Sequence, residues 1–150
     1  MSDIHIDDFY KDAGEILLRL YGSFPRKTSV YVDDISGPVN YDEFGLPCDR
    51  SVACFSTMIW LADHGYLQYE STIHQSAIDQ AVLTHKSFMI LSSRSNLPVA
   101  NSENNTDTPA SIMDSNRTNI HQLRNALKSR SSIEIKSCMR ELLNHEINFR

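Results

Sequence analysis

A mainly helical α+β fold is predicted for this chain, and three observations carry it. Phe9, Ala13, Ile16, Leu17, Leu20, Tyr21 and Phe24 recur at steps of three and four, one stripe of a helix. A second apolar run, Val52–Ala62, stops at Asp63-His64-Gly65. Beyond it, Tyr66–Ile73 and Ala77–Leu83 alternate with period two around His74-Gln75-Ser76, the pattern of a hairpin.

Taken in order, the first helix has Asp7 and Asp8 for its cap and Gly22 and Pro25 for its end. Thr28–Val32 is short and β-branched, an edge strand. Residues 33–49 carry Gly37-Pro38, Gly45 and Pro47 and read as a loop with room for one helical turn. The second long helix starts at Asp49, a good N-cap, and ends at Gly65. On a wheel, Cys54, Phe55, Met58, Ile59, Leu61 and Ala62 share one side. Arg50, Ala53, Ser56, Thr57, Trp60, Asp63 and His64 share the other. Leu67, Tyr69, Ser71 and Ile73 form one face of the first hairpin strand, and Ile78, Gln80 and Val82 one face of the return. Thr84 caps a short helix over 85–91. The expected core is Phe9, Ile16, Leu17, Leu20, Phe55, Ile59, Leu61, Leu67, Val82 and Phe88.

From residue 93 to 116 the chain is rich in Ser, Asn, Thr, Pro and Asp without a period, and reads as a linker between a module at 1–92 and a helical hairpin at 117–150. The first hairpin helix carries Ile120, Leu123 and Leu127. The second opens on Ser131-x-x-Glu134, a capping box, and continues in the stripe Ile135, Cys138, Met139, Leu142, Leu143 and Ile147. Two such helices cannot hide an apolar face alone. The stripe should be buried either against the first helix within the chain or between chains. The linker lets the hairpin reach away, so the expectation is burial between chains, with Met139, Leu142 and Leu143 as a docking or oligomerisation surface.

Element order over roughly residues 6–92, with Asp63-His64-Gly65-Tyr66-Leu67 and Leu83-Thr84-His85-Lys86, resembles a bacterial winged helix. In that superfamily a helix ending in Gly-aromatic-aliphatic and a strand ending in Leu-Thr-x-Lys recur. The resemblance implies a binding module with a two-stranded wing, non-enzymatic, whose helix before the wing enters the major groove when the partner is DNA.

The charge map decides between partners. Residues 1–95 hold 13 acids and 7 bases, a net of −6, whereas 96–150 hold 6 acids and 7 bases, a net of +1. Affinity for a polyphosphate comes from basic side chains that displace counterions. Here the outward helix face has Arg50 as its base, and the wing tip from Ser71 to Asp79 has no Lys or Arg. The expected function is therefore a partner-binding adaptor subunit of a bacterial multi-protein system. Its partner is a protein or a second copy, met by Trp60, Ala53, Thr57 and His64 together with the C-terminal stripe. The alternative is a dimeric DNA-binding regulator using Arg50, Ser56, Thr57 and Lys86, with weak binding to random DNA.

Chemistry finds little footing. There is no G-x-S-x-G, S-x-x-K or G-x-G. Asp33-Asp34 and Asp42-Glu43 are expected to be solvated loop acids rather than metal ligands, because a hard cation needs several convergent oxygens. Cys48, Cys54 and Cys138 lack zinc spacing and a disulfide framework, which suits a reduced, cytoplasmic chain. Cys48 with His64 as base lacks a third orienting group. No cofactor, signal peptide or membrane span is expected, and the N-x-T triplets at Asn104 and Asn116 then carry no glycan.

Overall fold

The first helix, α1 (Ile4–Ser23), packs against two strands of the sheet, the two helices that follow the first strand and both C-terminal helices. The computed structural model describes residues 3–38, 41–93 and 118–148. The linker assigned to 93–116, with Asn104 and Asn116, lies outside the described residues except for Ser93, and the side chain of Ile147 is likewise outside them.

The helix starts at Asp3, four residues before the expected cap, which leaves Asp7 in the first turn facing the positive helix end. Its buried residues are Asp12, Ala13, Gly14, Ile16, Leu17 and Leu20, a wider band than one stripe, because α1 is covered from more than one side. Strand β1 (Thr28–Tyr31) follows and runs directly into a five-residue helix, α2 (Val32–Ser36), the expected helical turn. Helix α3 (Asp49–Asp63) packs on α1 and α2.

Beyond α3 the chain forms β2 (Leu67–Gln68), β3 (Ser71–Ile73), β4 (Ala77–Leu83) and helix α4 (His85–Ser92). The sheet is larger than the two-stranded wing of the sequence reading. It has four antiparallel strands, with β4 between β1 on one side and β2 and β3 on the other. Alternation along β4 also fails as expected. Gln80 sits at φ +55°, and the pairing with β1 shifts between Thr28↔Ala81 and Val30↔Ile78, a bulge. The extra residue turns Ala81 and Leu83 to the core with Ile78, and leaves Val82 half-buried. Thr84 caps α4 as expected, its hydroxyl accepting the Ser87 N–H at 3.3 Å.

The C-terminal helices α5 (Asn119–Ser129) and α6 (Ser132–Asn148) form the expected hairpin, but not the expected surface. Both pack on α1 and α4 within the chain. Met139 and Leu142 are buried and Leu143 is half-buried, so the proposed docking stripe is covered by the chain's own first helix. The reason is steric. Gly14 leaves α1 without a side chain where Leu123 Cδ1 and Met139 Sδ would stand 3.1 and 3.3 Å from an added Cβ. Asn119 locks the junction, its Nδ2 donating to the Ile90 carbonyl at 2.8 Å.

Ile16, Leu17, Leu20, Leu61 and Leu67 are buried as expected. Phe9, Phe55, Ile59 and Phe88 are only half-buried, and the centre of the core is held instead by Met58, Ile78, Leu91 and Leu123. No helix among the described residues is long and apolar enough to cross a membrane.

Candidate functional site

The face of α3 that points away from α1 is the candidate site, and its position follows from how the helix is seated. Cys48, not Asp49, is the N-cap; Asp49 is the acid of the first turn. At the other end, Gly65 at φ +79° reverses the chain where a side chain would be strained. The Lys86 ammonium donates to the His64 carbonyl at 2.9 Å and lies 4.4 Å from the centre of the Tyr66 ring. These contacts fix both the rotation of α3 and the approach of the hairpin.

The buried stripe of α3 is Ser51, Cys54, Thr57, Met58 and Leu61. It is rotated from the apolar side of the wheel, because two small polar residues join it. Thr57 is buried and satisfies its hydroxyl on the Ala53 carbonyl at 2.9 Å, so it is removed from both candidate interfaces. Ala53, Ser56 and His64 are exposed, as their assignment requires.

Rotation brings Phe55 and Ile59, expected in the core, to the outward side. With Val52, Ser56, Trp60 and Asp63 they line an open recess of about 440 Å³. Gln75, at the tip of the β3–β4 hairpin, closes one wall. That tip is a three-residue connection, His74–Ser76, in which the Ser76 N–H donates to the Ile73 carbonyl and His74 and Gln75 both have positive φ, +47° and +58°. Gly and Asn are the usual choices at positive φ, so His-Gln holds the backbone at a cost.

Trp60 is neither free nor buried. Phe9 meets it edge-on at 5.0 Å, His64 stacks on it at 4.0 Å and Tyr66 lies parallel at 6.1 Å. The His64 Nδ1–H donates to the Trp60 carbonyl at 2.9 Å, which holds the imidazole on the indole. The result is a fixed aromatic stack with one edge on the recess, the form in which a large ring contributes contact area at low entropic cost.

The bases proposed for DNA are engaged inside the chain. Arg50 forks onto Asp12, with Nη1 and Nη2 donating at 2.6 and 2.7 Å, and its Nε lies 3.5 Å from Asp8. Asp12 is 1% exposed and Arg50 half-buried, so this is a bidentate pair with a buried carboxylate. The Asp12 hydrogen bonds raise the pKa of Arg50 further above its already high ordinary value. Lys86 is committed to His64 and Tyr66 as above.

The groups considered for reactive chemistry are held apart or kept protonated among the described residues. Burial pushes the Cys54 and Cys138 thiols up from 9.0 to about 11, with Asp12 and Glu141 adding to the effect respectively. Both stay protonated at neutral pH. Cys48 and His64 cap opposite ends of α3 and cannot meet. Among the described residues no three His, Cys, Asp or Glu side chains gather as a metal site. Asp33 and Asp34 stand in the first turn of α2, and Asp42 is used up by its own loop, accepting the Phe44 and Leu46 N–H groups at 2.9 Å each.

The sequence reading missed Val52, Asp63 and Gln75 as site residues and took Phe55 and Ile59 for core. The available signal was Val52 itself, an apolar residue opposite the Cys54–Met58–Leu61 stripe. Comparison of the chain with protein-family models, with curated proteins and with solved structures returned no match.

Proposed function

We propose that residues 4–92 are a winged-helix module that binds a protein partner through the outward face of α3 and the tip of the β3–β4 hairpin. In this reading the chain is a non-enzymatic adaptor subunit of a bacterial multi-protein system. The order helix, strand, short helix, long helix, hairpin, helix fits the winged-helix resemblance, with α3 in the place of the reading helix.

One observation carries the choice of partner: the face that would enter a DNA groove is an apolar recess. Val52 is 45% exposed, Phe55, Ile59 and Trp60 are half-exposed, and the charge on the recess is that of Asp63. Arg50, the one base of α3, is tied to Asp12 and Asp8. A surface of this composition gains by excluding water from apolar area and loses by approaching phosphates. Ala53 and His64 flank the recess as small and polar contacts, the usual surround of an aromatic anchor.

The test pairs two assays on the wild type and a Val52→Asp, Ile59→Asp variant. In affinity capture from the native host, a stoichiometric partner is retained by the wild type and lost by the variant. In gel shifts with random duplex at moderate salt, neither binds below micromolar concentration. Tight, salt-sensitive duplex binding would replace this reading with the dimeric DNA-binding regulator.

A further inference from the structure

A second surface lies outside the α3 recess. The loop from Tyr41 to Pro47 is closed on itself. The Asp42 N–H donates to the Leu46 carbonyl at 2.8 Å and the Gly45 N–H to the Asp42 carbonyl at 3.0 Å. Asp42 Oδ1 accepts from Phe44 and Leu46, Tyr41 bridges to Pro47, and Gly45 takes φ +77°. The Asp42 carboxylate and several backbone groups are thus paired within the loop, and its apolar side chains are exposed. Tyr41 is 63% exposed, Phe44 79% and Leu46 59%. Exposed single hydrophobics are ordinary, but three on one hydrogen-bonded loop make a preorganised apolar knob. The loop itself is acidic, with Asp42 and Glu43 and no base between Tyr41 and Pro47.

The chain also carries the complement. Between α1 and α5 an open groove of about 660 Å³ has Leu18 and Leu127 in its lining and Arg124, Lys128 and Arg130 around them, with Glu15 as its acid. Arg124 lies 5.9 Å from the Tyr21 ring centre, and the side chains of Arg124, Lys128 and Arg130 are exposed. Apolar Leu18 and Leu127 among three bases complement an apolar knob beside Asp42 and Glu43 in sign. The exposure of Phe44 and Leu46 shows that the knob is not seated in the groove of its own chain.

We propose that the chain self-associates head to tail, with the Tyr41–Pro47 loop of one copy seating Phe44 and Leu46 in the α1–α5 groove of a second. Such a contact joins two different surfaces, so it closes into a ring or continues as a filament. It stands apart from the α3 recess and does not depend on what that recess binds. Added salt weakens it, because the Glu43 side of the knob faces exposed bases.

Two variants of the full chain test it by sedimentation equilibrium from micromolar to millimolar concentration. Phe44→Ala with Leu46→Ser removes the knob, and Arg124→Glu with Lys128→Glu reverses the groove. All four positions are exposed, so unchanged circular dichroism and thermal midpoints are expected for both. The wild type is expected to gain mass with concentration, and each variant alone to associate at least about tenfold more weakly. Mixed in equal amounts, the two variants should form a dimer and nothing larger. The groove variant still has a knob, and the knob variant still has a groove. A wild type that stays monomeric to millimolar concentration, undiminished association in either variant, or a mixture that stays monomeric would each overturn the proposal.

Discussion

Arg50 takes a different place in the fold from the one its helix position suggests. On the wheel it stands on the outward side of α3 as a phosphate contact. In the fold its long stem folds back so that the guanidinium reaches a carboxylate on α1, and Asp12 is buried under it. The pair joins α1 to α3 and commits the base to a carboxylate of its own chain, while its side chain stays partly exposed. Arg50→Ala should therefore cost about 3 kcal/mol in urea unfolding, because Asp12 is left buried without its partner. Asp12→Leu combined with Arg50→Met should recover most of that loss, since a packed apolar pair of similar volume replaces the charges. A single Arg50→Ala that weakens partner or duplex binding without changing stability would assign the residue back to the surface. Nothing in the sequence near Arg50 announces Asp12, which lies 38 residues earlier inside an apolar helix stripe.

At the scale of elements, strong periodicity was legible and local exceptions were not. Helices α1, α4, α5 and α6 and the hairpin were readable from their spacing and caps, and β1 from its β-branched residues. The phase of α3 was misread because Ser51 and Thr57 are buried while Val52 is exposed, the reverse of their hydropathy. The bulge at Gln80 was hidden because a residue at positive φ is normally marked by glycine. The turn at His74-Gln75 hides its geometry in the same way, and it gives a prediction. His74→Asn with Gln75→Gly should raise stability by about 1 kcal/mol, by relieving two residues at positive φ. The same change removes the Gln75 side chain from the recess and should weaken partner binding. A rise in thermal midpoint with partner affinity intact would show that the tip is only a turn.

The whole molecule is bound together more tightly than its linker composition implies. Leu123, Met139 and Leu142 of the C-terminal hairpin belong to the same core cluster as Leu17, Leu20 and Leu91. Each such side chain contributes about 1.5–3 kcal/mol by its burial. Deleting residues 115–150 removes several of them, a loss comparable with the net stability of a domain, about 5–15 kcal/mol. The truncated chain should show no cooperative thermal transition. Retention of a sharp transition at the same midpoint would make the hairpin an appendage. An amphipathic stripe records that it must be covered but not by what, so its spacing alone does not choose between the two. Gly14 was the one cue, a missing side chain in the middle of α1 that admits α5 and α6. With Met139 and Leu142 buried, the proposed function rests on the outward face of α3. The most direct measurement places a photo-crosslinking amino acid at exposed Ser56, on the rim of the recess, in the native host. The account predicts a discrete adduct with one protein, competed away by unlabelled wild-type chain and absent when Val52 is also changed to Asp. An adduct with nucleic acid, or protein adducts unaffected by that change, would contradict it.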